Sequence, residues 1–157
     1  MSHFLRRLFL LPLLLVATVI GTAHAAAPDL NLASYHGKVV YVDFWASWCG
    51  PCKQSFPWMK AMHEKYGKDG LVILAINVDQ EKKLADSFLK EFSPAFPVIF
   101  DSTGTLASQF KVQTMPSSYL LDRNGKPRFK HLGFHDNKRA LYEKEIHDLL
   151  SESVTTP

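Results

Sequence analysis

Cysteine is nearly absent from this chain: its 157 residues include only two, Cys49 and Cys52. Two sulfurs cannot complete a tetrahedral zinc site, and no second Cys-x-x-Cys or paired-histidine motif supplies the missing ligands. A bridge across Gly50-Pro51 would close so small a loop that it constrains the unfolded chain very little. A reactive dithiol accounts for the pair better than structural zinc or a structural staple. Excess charge is lacking too. The formal net charge is +3, and two of the 18 cations, Arg6 and Arg7, fall in the first 25 residues, leaving 16 against 15 acids. That near-neutrality removes the electrostatic case for nucleic acid. Lys126, Arg128 and Lys130 alternate as the solvated face of a strand would. There is no internal repeat and no low-complexity tract, and the length suits one domain with a single buried core.

What is present begins with an export-like leader, residues 1–25. Arg6 and Arg7 form its positive end, Leu8 to Ile20 its apolar stretch, and Ala23-His24-Ala25 its small-residue cleavage site. The apolar run is shorter than the roughly 20 residues of a spanning helix and contains Pro12, which favours cleavage before Ala26 over an uncleaved anchor. Arg6-Arg7 partly matches a twin-arginine signal, but its apolar flanks favour the general secretory route. The mature domain would be residues 26–157, in an oxidising compartment such as the periplasm.

Within that domain, Val39 to Trp45 is a nearly continuous apolar, β-branched and aromatic run, as in a central strand buried on both faces. Cys52 to Tyr66 follows with Phe56, Met59, His63 and Tyr66 at helical spacing. Pro51 suits its first turn, and Pro57 should kink it. Leu71 to Val78 is a second strand, completing a β-α-β crossover. Glu81 to Phe92 carries Leu84, Ala85, Phe88, Leu89 and Phe92 as a one-sided helical stripe. Phe96 to Phe100 is a short strand and Thr105 to Phe110 a short helix. Ser117 to Asp122 and Pro127 to Gly133 form an antiparallel hairpin about Asn124-Gly125. Asn137 to Leu150 closes the domain with a helix burying Tyr142, Ile146 and Leu149. Alternating β and α with one hairpin predicts a three-layer α/β sandwich on a mixed sheet.

Reactive groups in open α/β sheets gather beyond the carboxyl ends of strands. Cys49 sits there, just before a helix whose free N–H groups favour an anion. It is therefore the expected nucleophile toward a disulfide, and Cys52, one turn into the helix, the resolving thiol. Asp43, amid Val42, Phe44 and Trp45, is costly to bury charged, so its pKa should rise toward the range of a general base.

The stretch Asp43-Phe44-Trp45-Ala46-Ser47-Trp48-Cys49-Gly50-Pro51-Cys52-Lys53 resembles the active site of the thioredoxin family, and Pro57 matches that family's kinked helix. The leader, Trp45-Ala46-Ser47-Trp48 and Met115 to Gly125 narrow the resemblance to the periplasmic TlpA-like group, which includes the cytochrome c maturation reductases. It covers roughly residues 30–150. It implies a thioredoxin fold with Cys49 and Cys52 as redox pair and a TlpA-type insertion at about Glu81 to Phe100. It also implies Pro116 as a cis-proline facing the disulfide. Trp48, Gly50, Pro51 and Met115 would contact substrate, Met115 through its backbone. Two departures stand out. Ala75-Ile76-Asn77-Val78-Asp79 lacks the lysine that cytosolic thioredoxins place near the buried acid, and Met115 is bulkier than the Thr or Val common before the cis-proline.

The implied activity is a periplasmic protein-disulfide reductase, monomeric and without a cofactor. A DsbD-like membrane donor would keep it reduced, and it would serve cytochrome c maturation or oxidative repair. Disulfide donation or isomerisation by the same sulfurs is the alternative, since direction depends on redox poise. The peroxiredoxin pattern fails, because Ala46 and Val42 stand where a Thr or Ser and a Pro are needed. A Sco-like copper chaperone would use both cysteines and a distant histidine such as His135, although Sco-type sites space their cysteines as Cys-x-x-x-Cys. The other histidines of residues 26–157, His36, His63, His131 and His147, are scattered as surface residues usually are.

Overall fold

The computed structural model describes residues 30–153. The leader expected at 1–25 lies outside the described residues. Five strands form one sheet: β1 (Val39–Trp45), β2 (Leu71–Asn77), β3 (Val98–Phe100), β4 (Ser117–Leu121) and β5 (Pro127–Leu132). Their order is β3-β2-β1-β4-β5, with β1, β2 and β3 parallel and β4 antiparallel to both β1 and β5. Every residue of β1 is buried, as its unbroken apolar run requires of a central strand. Among the described residues four α-helices accompany the sheet: α1 (Cys52–Tyr66), α2 (Lys82–Phe92), α3 (Thr105–Gln109) and α4 (Arg139–Ser151).

Alternation along β1 divides the interior into two cores. Val39, Tyr41 and Trp45 face the layer of α1, α2 and α4, with Phe56, Trp58, Met59, Phe88, Tyr142, Ile146 and Leu149. Val40, Val42 and Phe44 face the opposite layer, with Leu106 of α3 and Leu30 of the lead-in. The result is the expected three-layer sandwich on a mixed sheet. Asp43 has the parity of Tyr41 and Trp45, so its carboxyl enters the layer that α1 covers.

The structure adjusts several elements. The buried face of α1 runs through Cys52, Ser55, Phe56, Trp58, Met59 and Met62, while His63 and Tyr66 are only half-buried. A helix lying under two neighbours needs a wider stripe than a minimal 3.6-residue period marks. In α2 only Ala85 and Phe88 are fully buried, and Leu84 is exposed. Leu84 lies about 100° round the helix from Ala85, at the margin of the stripe. Residues 136–138 make a tight 3-10 turn before α4. The β4–β5 connection is organised by Asp122, whose Oδ1 accepts the N–H groups of Asn124 and Lys126 at 3.0 Å each. Gly125 supplies the positive φ of 76° that this turn demands. Lys126, Arg128 and Lys130 are exposed, as their alternation predicts.

Candidate active site

β1 delivers the chain to the edge of the parallel strands, and the turn that follows carries the cysteines. Cys49 N–H donates to the Ala46 carbonyl at 3.1 Å. Pro51 occupies the position just before α1 with helical φ and ψ, where its missing N–H leaves nothing unpaired. Cys49 and Cys52 are joined as a disulfide, with Cα atoms 5.3 Å apart. The backbone N–H of Cys52, the first residue of α1, donates to Cys49 Sγ at 3.2 Å. That donor and the positive end of the helix favour negative charge on Cys49 sulfur when the bond opens. Both cysteines are almost fully covered, Cys52 completely.

A groove of about 510 Å³ opens over the pair. One wall is Trp48, Cys49, Gly50 and Pro51; the other is Val112, Gln113, Thr114 and Met115. Trp48 is 70% exposed, an unusual position for so large an apolar ring. The Met115–Pro116 bond is cis, as the resemblance implies, and Pro116 is buried immediately behind Met115. Cys49, Gly50, Pro51, Trp48 and Met115 thus meet around one cleft, as expected. Nothing in their own sequence signalled Val112, Gln113 and Thr114, which reach the cleft only because they precede the cis-proline.

Asp43 is 1% exposed, and its Oδ2 has no hydrogen-bond partner. Burial alone pushes its carboxyl well above the ordinary carboxylate range. Its register partner on β2 is Ala75, a methyl where a cation would have lowered it again. The expectation of a raised acid without a neighbouring lysine is therefore met.

The sequence reading missed Asp79. It lies just beyond β2, 3% exposed, and grips the active-site turn. Its Oδ2 accepts the Ser47 N–H at 2.9 Å, and its Oδ1 accepts the Ser47 hydroxyl at 3.0 Å. Asn77 Nδ2 donates to Oδ2 at 2.8 Å, and Asp79 N–H returns to Asn77 Oδ1 at 3.1 Å. A buried Asn-x-Asp at the end of the neighbouring parallel strand was the available signal.

His135 does not line the cysteine groove. It borders a separate pocket with Lys130, His131, Lys138 and Tyr142. Among the described residues no three His, Cys, Asp or Glu side chains converge as a metal site would need. The copper-chaperone arrangement is thus not formed by the residues proposed for it. His131, grouped above with scattered surface histidines, is instead largely buried between the sheet and α4.

A mixed sheet in this order, a cysteine pair at the head of a helix and a cis-proline loop across the cleft define a thioredoxin fold with a redox-type cysteine pair. The Redoxin family profile matches residues 20–148, and the chain belongs to that family. A Chlorobium tepidum structure assigned as the thiol:disulfide interchange protein DsbE is 43% identical, with a TM-score of 0.75 over 76% of this chain and 85% of that one. StoA from Bacillus subtilis is 25% identical, with a TM-score of 0.60 over 69% of this chain and 81% of its own. The thiol-disulfide oxidoreductase ResA of Geobacillus thermodenitrificans is 36% identical over 96 residues, 61% of this chain and 55% of the relative. The chain spans about half the length of the curated relatives it matches.

Proposed function

We propose that the protein is an exported protein-disulfide reductase, working in the periplasm after removal of residues 1–25. Cys49 thiolate attacks a substrate disulfide, forming a mixed disulfide and expelling one substrate thiolate. Cys52 gives up its proton to Asp43 and attacks Cys49 Sγ, which releases the second substrate thiol and leaves the Cys49–Cys52 disulfide. A membrane thiol-disulfide donor of the DsbD-like kind would then reduce that disulfide. The observation that carries this reading is the Cys52 N–H donating to Cys49 Sγ at the mouth of an open groove. It favours negative charge on Cys49 sulfur and so makes Cys49 the nucleophile of the exchange, while the direction of exchange is set by the reduction potential. The groove's exposed Trp48 and the backbone before Pro116 suit an extended polypeptide carrying a disulfide. Relatives named as thiol-disulfide oxidoreductases support the chemistry. The chain's own resemblance to the TlpA-like group, which includes the cytochrome c maturation reductases, makes an apocytochrome thiol pair the first substrate to try, with oxidative repair second.

The test is the reduction potential, measured by equilibrating the protein against defined thiol couples. A reductase should fall near the roughly −270 mV of thioredoxins, far from the roughly −120 mV of strong periplasmic oxidants. A value at the oxidising end would overturn the reductase assignment in favour of disulfide donation or isomerisation. Cys52→Ser should trap mixed disulfides through Cys49, and Cys49→Ser should trap none.

A further inference from the structure

Three register partners line up across the sheet on one face: Asp43 of β1, Ser118 of β4 and His131 of β5. Directly opposed side chains of neighbouring strands lie about 5 Å apart at Cβ, so this is a polar row through an otherwise apolar layer, hydrogen-bonded from Ser118 outward and joined by adjacency alone between Asp43 and Ser118. Tyr41, on the same face, donates its hydroxyl to Ser118 Oγ at 2.8 Å. Ser118 Oγ lies 3.2 Å from His131 Nδ1, and His131 Nε2 lies 2.7 Å from Glu145 Oε2 of α4. The last two side chains are the ones that reach the surface, 10% and 13% exposed.

With His131 neutral and Glu145 a carboxylate, donors and acceptors fit together in one way. Glu145 as carboxylate can only accept, so His131 carries its proton on Nε2 and leaves Nδ1 bare. Ser118 must then donate to Nδ1. Tyr41 fills one lone pair of Ser118 Oγ, and the other remains for a donor on the Asp43 side. Asp43 has a bare oxygen and, when protonated, a proton to give. On its other flank stands Ala75, which can take none.

The geometry points to Ser118 and His131 as the proton path between Asp43 and solvent, with Glu145 holding the imidazole in the tautomer that path requires. This rests on Asp43 being the base of the resolving step. In that step the Cys52 thiol proton goes to the Asp43 carboxylate. The Cys52 sulfur bonds Cys49 Sγ, and the Cys49–substrate bond breaks with its electron pair on the departing substrate sulfur, which takes a proton from water. Asp43 then protonates Ser118 Oγ as Ser118 protonates His131 Nδ1, and the Nε2 proton passes to Glu145 and on to solvent. Reduction of the disulfide runs the same chain backwards. The groups facing His131 are Glu145 and Tyr142 of α4, Tyr41 of β1, and Lys138 before α4. Burial, followed in the same direction by Lys138, outweighs Glu145 and holds the ring below its ordinary pKa, so it is neutral and able to accept near pH 7.

The experiment mixes fully reduced protein with rising glutathione disulfide and reads the plateau rate of Cys49–Cys52 closure by tryptophan fluorescence, from pH 5 to 9. Asp43→Asn should slow the plateau about 100-fold, the low end of a general base's contribution. Ser118→Ala and His131→Gln should each slow it about tenfold at pH 7, with the reduction potential unchanged because a path alters both directions equally. Ser118→Thr, which keeps the hydroxyl, should keep the rate. Ser118→Ala should add nothing in the Asp43→Asn background. Wild-type plateau rates in Ser118→Ala and His131→Gln, beside a slow Asp43→Asn, would overturn the path and leave Asp43 as base. Equal slowing by Ser118→Ala with or without Asp43 would make Ser118 a packing residue and overturn the path too. A wild-type rate in Asp43→Asn would instead remove Asp43 from the mechanism.

Discussion

Two carboxylates are buried where β1 and β2 lead to the cysteine turn, and they have opposite surroundings. Asp79 is fully engaged: both oxygens accept hydrogen bonds, from the backbone and hydroxyl of Ser47 and from the amide of Asn77. Asp43, one strand over and equally covered, has an oxygen with no partner and a carboxyl pushed upward by burial. A satisfied buried acid is a fastener, because both its oxygens hold donors in place. An unsatisfied one is pushed by burial toward its protonated form, which adds nothing to structure and suits the base proposed above. The proposed mechanism thus divides the two tasks between residues: Asp79 fixes the turn at Ser47, and Asp43 is left without such an anchor.

The largest effect that separates them is on stability at Asp79. Asp79→Ala leaves the Ser47 N–H, the Ser47 hydroxyl and the Asn77 amide without their acceptor, at about 1 kcal/mol for each lost bond and about 3 kcal/mol in all. Urea denaturation at pH 7 should show that loss, and amide exchange at Ser47 should accelerate. A loss of only a few tenths would mean that the turn holds itself through Ala46 and Cys49, and the contrast with Asp43 would fail.

How far this contrast could be read from the chain differs for its two members. Asp43 was legible because it interrupts a run, Val39 to Trp45, that otherwise admits no polar residue. The cysteine pair, Pro51 and the exposed Trp48 were legible for a similar reason: motif and strand-helix boundary fall together in a few residues. Asp79 was not, because Asn77-Val78-Asp79 looks like any polar strand end until β1 and β2 are placed side by side. The row Asp43–Ser118–His131 spans 89 positions of sequence and exists only through strand register. Ser118 and His131 belong to strands whose local pattern says only that they alternate. Local signals predicted elements and the redox turn well, whereas side chains that meet across the sheet carried no mark of it. The misjudged Leu84 shows the same limit within one helix, since the periodicity marks a face but its margin depends on what packs there.

Asp43 should respond to substitution in the opposite sense. Its folded pKa lies above the unfolded value of about 3.9. Between those two values the native state holds a proton that the unfolded chain has released, so stability falls as pH rises through that window. Asp43→Asn keeps the shape and removes the titration. The variant should match wild type near pH 3 and exceed it at pH 8 by about 2 kcal/mol, the scale on which an unpaired buried polar group costs. Parallel denaturation curves across pH check this. A destabilised variant at pH 8 would mean that the carboxylate has a partner in the folded state, and its role as a free base would fall with it.

The smallest effect sharpens what Asp79 does. Ser47→Ala removes only the hydroxyl bond to Oδ1 and leaves the backbone N–H on Oδ2. Ser47 is half-buried, so water can replace the hydroxyl at Oδ1, and the cost should be about 1 kcal/mol or less. The rate of Cys49 attack on a model disulfide should stay at the wild-type level, because the backbone bond is the one that sets the path of the turn into Trp48 and Cys49. If Ser47→Ala slowed that attack as much as Asp79→Ala, the hydroxyl rather than the backbone would be the point at which Asp79 grips the active-site turn. The fastening would then act on a side chain that the cysteines do not share, and the aim of Cys49 would have to come from α1 alone.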